Sequence, residues 1–178
     1  MRKSALATSA PLDVIRPTPR LAFIAVSLAC AGLIGFALYL QEEKGLDPCP
    51  LCILQRYAFI VIGVIALIAA IHGPRRGLAL KIYGALVALF ALAGGGTSVR
   101  QVWLQHNPPK SVSCGADLEG LLESLPLSQA LPKIFAGSGD CAIVTWRFLG
   151  FSIAEWALVW FALFLVAAIW IAFVRKPA

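Results

Sequence analysis

Residues 47–63 read DPCPLCILQRYAFIVIG. Two cysteines stand two residues apart, an arginine follows, and an apolar run then continues to Ile71. Proline suits the first position of a helix, because the N–H it lacks has no intrahelical partner there. Pro50 therefore predicts a helix that starts between the cysteines, with Cys49 near its N-cap and Cys52 in its first turn. Both sulfurs then lie where free N–H groups and the positive end of the helix dipole favour an anion. Arg56 follows Cys52 by four residues and shares its helical face. A dithiol and a cation thus meet where the helix enters apolar surroundings.

Composition identifies those surroundings. The chain has 178 residues, of which 60% are hydrophobic and 13% charged, and its mean hydropathy of +0.83 lies far above that of a soluble domain. A bilayer core of about 30 Å takes roughly 20 apolar residues per helix. Four segments meet that length: 21–40, 53–71, 78–99 and 151–174. The expected fold is an all-α integral membrane protein, a four-helix transmembrane bundle. Its organisation is an N-terminal segment (1–20), a four-span membrane domain (21–174) with outer loops at 41–52 and 100–150, and a short tail (175–178). The first apolar run is longer than a leader's core, and ALYLQEE offers no small-x-small cleavage site, so it is read as an uncleaved span.

Charge orients the bundle. Arg2, Lys3, Arg16, Arg20, Arg75, Arg76, Lys81, Arg175 and Lys176 all fall on one side of an alternating topology, against the single acid Asp13. Basic loops stay cytoplasmic, so both termini are expected inside. In a bacterial inner membrane the loops 41–52 and 100–150 then face the periplasm. The net charge of +6 reports this topology. No basic cluster with interleaved aromatic residues points to nucleic acid.

Of five cysteines, Cys30 lies within the first span, where it is expected to pack as a small apolar residue. Cys49, Cys52, Cys114 and Cys141 all project to the outer side, an oxidising compartment in which disulfides persist. Four cysteines allow three pairings. Proximity favours Cys49 with Cys52, leaving Cys114 with Cys141. Structural staples, a tetrathiolate zinc site and a redox relay all compete for this pattern. Zinc ribbons use a second close spacing that Cys114 and Cys141 lack. The helix-start position of Cys49 and Cys52, with Arg56 in register, favours the relay, because low-pKa thiols are the reactive ones.

In the long outer segment, SCGADLEGLLESLP places Leu118, Leu121, Leu122 and Leu125 at helical spacing, which predicts a short amphipathic surface helix ending at Pro126. Pro126, Pro132, Gly137 and Gly139 then suit a movable loop. The tryptophans near span ends fit an interfacial belt, and none is assigned to catalysis. His106, just beyond the third span, is positioned either to donate protons to a bound acceptor or to anchor the interface. AGGGTS at 93–98 either brings helices close or loosens the span.

CPLCILQR at the start of the second span, Cys114 in the outer loop and SGDCAIVTWRFLG before the last span together resemble the DsbB family of disulfide-forming membrane oxidoreductases. The likeness covers roughly residues 20–175. It implies that a thioredoxin-fold, DsbA-like partner is reoxidised and that two electrons pass to a membrane quinone, ubiquinone or menaquinone. It further implies that the partner's thiolate attacks Cys114 of a Cys114–Cys141 disulfide and that exchange between loops carries the reducing equivalents to Cys49 and Cys52. Cys52 would meet the quinone, Arg56 would stabilise the thiolate and the reduced oxygen, and His106 aligns through QVWLQH with a histidine of the family's quinone site. The connection from His106 to Cys114 is shorter than in the family's best-known member. No G-x-G-x-x-G loop, C-x-x-C-H haem motif or intramembrane histidine pair offers another acceptor. Two alternatives stand beside this reading: purely structural disulfides, or a reductase running the relay backwards, since direction depends on potentials.

Overall fold

A computed structural model describes residues 18–46, 48–74, 77–108, 139–144 and 146–174. Four long helices dominate: α1 (Pro19–Lys44), α2 (Pro50–His72), α3 (Leu78–His106) and α4 (Ile153–Ile169), the last extended by a π-turn over Trp170–Val174. Each is long and apolar enough to cross a bilayer. The protein is thus an all-α, four-helix membrane bundle. The amphipathic helix expected over Asp117–Leu125 and Cys114 lie outside the described residues.

Local chemistry sets the helix ends. Thr18 caps α1, accepting the Leu21 N–H at 3.3 Å, with Pro19 behind it. Gly45 and Gly73 close α1 and α2 at φ of 60° and 63°, a left-handed conformation that only glycine adopts readily. At the start of α4, Ser152 and Glu155 form a capping box: the Ser152 Oγ accepts the Glu155 N–H at 3.3 Å, and a Glu155 carboxylate oxygen accepts the Ser152 N–H at 2.6 Å. That box delays the helix to Ile153. Phe151 and Ser152, the first residues of the apolar run, instead form β2, which pairs antiparallel with β1 (Arg147–Phe148). The hairpin turns on Leu149 and Gly150, both at positive φ. Helix α3 continues seven residues past the apolar segment that ends at Val99, so Arg100–His106 are helical.

Neighbouring helices run in opposite directions. At one end, His72 Nδ1 lies 3.0 Å from the Tyr83 hydroxyl, and Arg20 and Lys81 are exposed. At the other, Gln105 of α3 accepts a 2.9 Å hydrogen bond from Ser152 at the head of α4. The pairs α1 with α2, α2 with α3, and α3 with α4 pack closely, whereas α1 and α4 do not. Large apolar side chains such as Leu28, Ile71, Leu78 and Val166 face outward, as expected where lipid rather than water is the solvent.

Small residues and aromatic rings fill the interior. Phe59 of α2 stacks on Phe161 of α4 with centroids 4.1 Å apart and planes 4° from parallel. The Phe161 ring occupies the space over Gly94, where an added Cβ would run into it. In AGGGTS, then, Gly94 provides close approach, while Gly96 has open space beside it. Thr97 and Ser98 both return their hydroxyls to the Gly94 carbonyl, at 2.7 and 3.0 Å, and so need no partner on another helix. Cys30 is buried against Gly63, whose Cβ would sit 3.0 Å from that of Cys30.

Overpacking of this kind costs about 1–3 kcal/mol. Gly94→Ala is expected to lower the thermal unfolding midpoint in detergent, whereas Gly96→Ala leaves it in place. Equal midpoints for the two variants would show that Phe161 gives way freely.

Candidate functional site

The site is built on the first turn of α2. Cys49 is the N-cap, with extended backbone (φ −67°, ψ 162°), Pro50 follows at N1, and Cys52 is at N3. The Cys49 and Cys52 sulfurs are 3.0 Å apart, with the Cys49 thiol donating toward Cys52. The expected helix start brings the two thiols together at a terminus whose N–H groups lack intrahelical partners.

Cys141 joins them from far along the chain. It lies in a 3₁₀ turn (Gly139–Ala142), is fully buried, and packs with Leu51, Leu104 and Cys49. Hydrogen bonding to Cys141, then to Cys52, together with burial, pushes the Cys49 thiol well above the ordinary thiol range. Cys49 therefore holds its proton where a free cysteine would share it with water. Three of the four cysteines expected on the outer side form one cluster. Cys114, the fourth, lies outside the described residues.

Two glutamines support the cluster. Gln101, projecting from α3, directs its Nε2 to Cys52 Sγ at 3.1 Å and to Cys49 Sγ at 3.5 Å. Its Oε1 accepts a 2.7 Å bond from Gln55 Nε2, one turn along α2. Both are almost completely buried, at 4% and 3% exposure. Neither is among the candidate site residues that the sequence offers. The available signal was that a polar side chain inside a spanning helix faces the interior and carries function.

Below Cys52 opens a cavity of about 530 Å³, in the slot between α1 and α4. Cys52, Gln55 and Arg56 supply its polar side chains. Its walls are aliphatic side chains of α1 and a set of aromatic rings, including Phe59, Trp146, Trp156 and Trp160. The hairpin forms part of the wall: Trp146 stacks on Phe148 at 5.9 Å, and Trp156 Nε1 donates to the Phe148 carbonyl at 3.1 Å. Three tryptophans assigned only to the interface thus line a cavity. Arg56 is fixed from α1, its Nη1 donating to Gln41 Oε1 at 2.7 Å and its Nη2 to the Ala37 carbonyl at 3.3 Å. His106 is not brought to this cavity: it is exposed in the last turn of α3, with Nδ1 2.9 Å from the Val102 carbonyl.

Clustered thiols at the head of a spanning helix, above an apolar cavity, are the layout of a multi-pass membrane thiol–disulfide protein. A family model described as Disulfide bond formation protein DsbB matches residues 19–171. The chain is 51% identical over 154 residues to a Disulfide bond formation protein B of Azoarcus sp. (strain BH72), covering 86% of this chain and 92% of the relative. It is 54% identical over 151 residues to that of Aromatoleum aromaticum, covering 84% and 90%. To that of Chromobacterium violaceum it is 48% identical over 155 residues, covering 86% and 93%. The chain belongs to the DsbB family and is a membrane oxidoreductase of disulfide bond formation.

The raised Cys49 thiol sets an order of reactivity. A group whose pKa is raised stays protonated as pH passes the ordinary value, so at about pH 8, near the ordinary thiol pKa, iodoacetamide should modify Cys52 of the reduced protein well before Cys49. Peptide mass spectrometry with time reads this order, and equal rates at the two cysteines would contradict the hydrogen-bonded arrangement.

Proposed function

We propose that this protein reoxidises a periplasmic, DsbA-like thioredoxin-fold dithiol protein and passes the two electrons to a membrane quinone. The observation that carries the reading is the position of Cys52, with the exchange partners Cys49 and Cys141 on one side and a cavity holding Arg56 on the other. Positive-inside orientation makes residues 1–20 and 175–178 cytoplasmic and directs the cysteine loops to the periplasm of a bacterial inner membrane.

The thiol chemistry is a series of exchanges through mixed disulfides. A partner thiolate attacks Cys114 of a Cys114–Cys141 disulfide, forming a partner–Cys114 bond and releasing Cys141 as a thiolate. Cys141, packed against Cys49, attacks its sulfur in the Cys49–Cys52 disulfide. A Cys49–Cys141 bond forms, and the electron pair goes to Cys52. The partner's second thiol then closes its own disulfide and frees Cys114, which recovers Cys141 and releases Cys49. The net result is an oxidised partner and a reduced Cys49, Cys52 pair.

The cavity fits a quinone by its donor set and walls. Its volume falls within the ~300–1,000 Å³ of ligand cavities, aromatic rings suit a flat apolar ring, and Arg56 provides charge-assisted donors for its oxygens. A bound quinone would supply the terminal step, accepting two electrons and two protons from the dithiol. Gln41 and Ala37 hold Arg56 so that its charge need not reorganise when negative charge develops beside it. A slot between two spanning helices also suits an acceptor that arrives through lipid.

The deciding assay is quinone reduction by the purified protein, supplied with a reduced DsbA-like protein. Wild type should consume one quinone per partner oxidised and Cys52→Ser none. No turnover by wild type with several quinones and partners would return the structural-disulfide reading, and reduction of the partner at the expense of quinol would reverse the direction. A charged hydrogen bond contributes about 1.5–3 kcal/mol. Arg56→Ala is therefore expected to reduce kcat/KM for quinone by roughly 10–100-fold, with partner exchange at Cys114 retained.

Trapping tests the outer half of the relay. A partner variant lacking its second thiol cannot close its own disulfide, so with wild type it should accumulate a partner–Cys114 mixed disulfide on non-reducing gels and with Cys114→Ser none; its absence with wild type would remove Cys114 from the route.

A further inference from the structure

We infer that Gln101 is a catalytic residue of the thiol relay, a neutral donor that holds the negative charge arriving on Cys52, and that Gln55 is the positioning residue that aims it. This assignment rests on the exchange sequence proposed above and adds a component that neither the cysteines nor Arg56 provides.

The geometry has three parts. One carboxamide nitrogen spans both sulfurs of the pair, nearer to Cys52 (3.1 Å) than to Cys49 (3.5 Å). Its orientation is set from the other end, because the Gln101 oxygen accepts the Gln55 N–H at 2.7 Å. Reversing the amide would turn an oxygen lone pair toward sulfur and bring two nitrogens together. Finally, both glutamines are nearly fully buried, so water does not compete for these bonds, and a donor lost there leaves charge unsatisfied.

When Cys141 attacks Cys49, the Cys49–Cys52 bond breaks and its electron pair moves onto Cys52. A Gln101 N–H is already directed at that sulfur, so stabilising the leaving thiolate requires no rearrangement. The groups facing Cys52 define what else can titrate or carry charge there. Cys49 caps the same helix, Cys141 reaches Cys49 from the 3₁₀ turn, and Arg56 lies one turn on. Among the described residues, α1, α4 and the hairpin line the cavity with uncharged side chains only. Arg56 is engaged by Gln41 and Ala37. Gln101 thus places a donor on the sulfur itself from outside the cysteine cluster. An amide does not titrate in the working range, so this stabilisation persists across pH where a histidine's would change.

The test reads the pH midpoint of Cys52 alkylation in the reduced, full-length protein in detergent, site by site, with neither partner nor quinone present. Gln101→Met keeps the bulk and removes the donor, Gln101→Glu keeps the shape and replaces the donor with a carboxylate, and Gln55→Met leaves the donor unanchored. Gln101→Met should raise the midpoint by about one pH unit, a tenfold loss of thiolate. Gln101→Glu should raise it at least as far, and Gln55→Met by less. A merely structural role would leave the midpoint in place while lowering the melting temperature. A midpoint unchanged in either Gln101 variant overturns the assignment, and the isosteric Gln101→Glu decides alone where Gln101→Met yields no folded protein. Wild-type quinone turnover separates this inference from the proposed function: its absence alongside the expected midpoint shifts would end the relay reading and leave the Gln101 contact standing.

Discussion

Inside a bilayer no water satisfies the backbone, so a chain crosses as helices, and their unpaired N–H groups remain only where helices begin. The head of α2 is such a place, and the site is assembled around it. Pro50 makes the start abrupt, leaving Cys49 as an extended N-cap and Cys52 in the first turn. The two sulfurs then face each other at 3.0 Å, with Gln101 from α3 and Cys141 from the last connection closing over them. Displacing that helix start by one residue would turn Cys52 away from Gln101 and from the cavity.

The cavity has a different origin. Close packing follows the chain order from α1 to α4 and leaves the first and last helices apart. Phe59 and Phe161 stack beside that gap and keep α2 and α4 together, and Gly94 leaves room for the Phe161 ring. Rigid aromatic packing on one side and an arginine fixed from α1 on the other give a slot with few polar groups, each held by a neighbour. Such restraint suits chemistry in which charge appears briefly on one sulfur, because preorganised donors need not move when it does.

How much could be read beforehand depended on the range of the interaction. Four apolar runs of spanning length announce four helices, since bilayer thickness fixes the length. The shared face of Cys52 and Arg56 follows from a spacing of four within one helix. The hairpin over 147–152 is harder to see, because its second strand is the first two residues of a long apolar run and depends on the Ser152 and Glu155 capping box to delay the helix. His106, although next to the third span, sits in the last turn of α3 and points to its own backbone, while Gln101, five residues earlier, reaches the sulfurs. Which residues of one helix face another helix's reacting atoms depends on rotation about the axis. A helix that packs small residues against a neighbour on one side and lipid on the other shows little contrast from which to read that rotation.

The sequence by itself determined the solvent, the number of spans, the start of α2 and the pairing of a dithiol with a cation, because these depend on composition and on separations within a turn or two of one helix. Only the tertiary structure decided that Cys141 packs on Cys49, that Gln55 and Gln101 form a buried bridge to Cys52, and that three tryptophans line a cavity. Each of those contacts joins residues of different elements, the two glutamines being 46 positions apart, and each exists because helix packing brings faces together that no local propensity specifies.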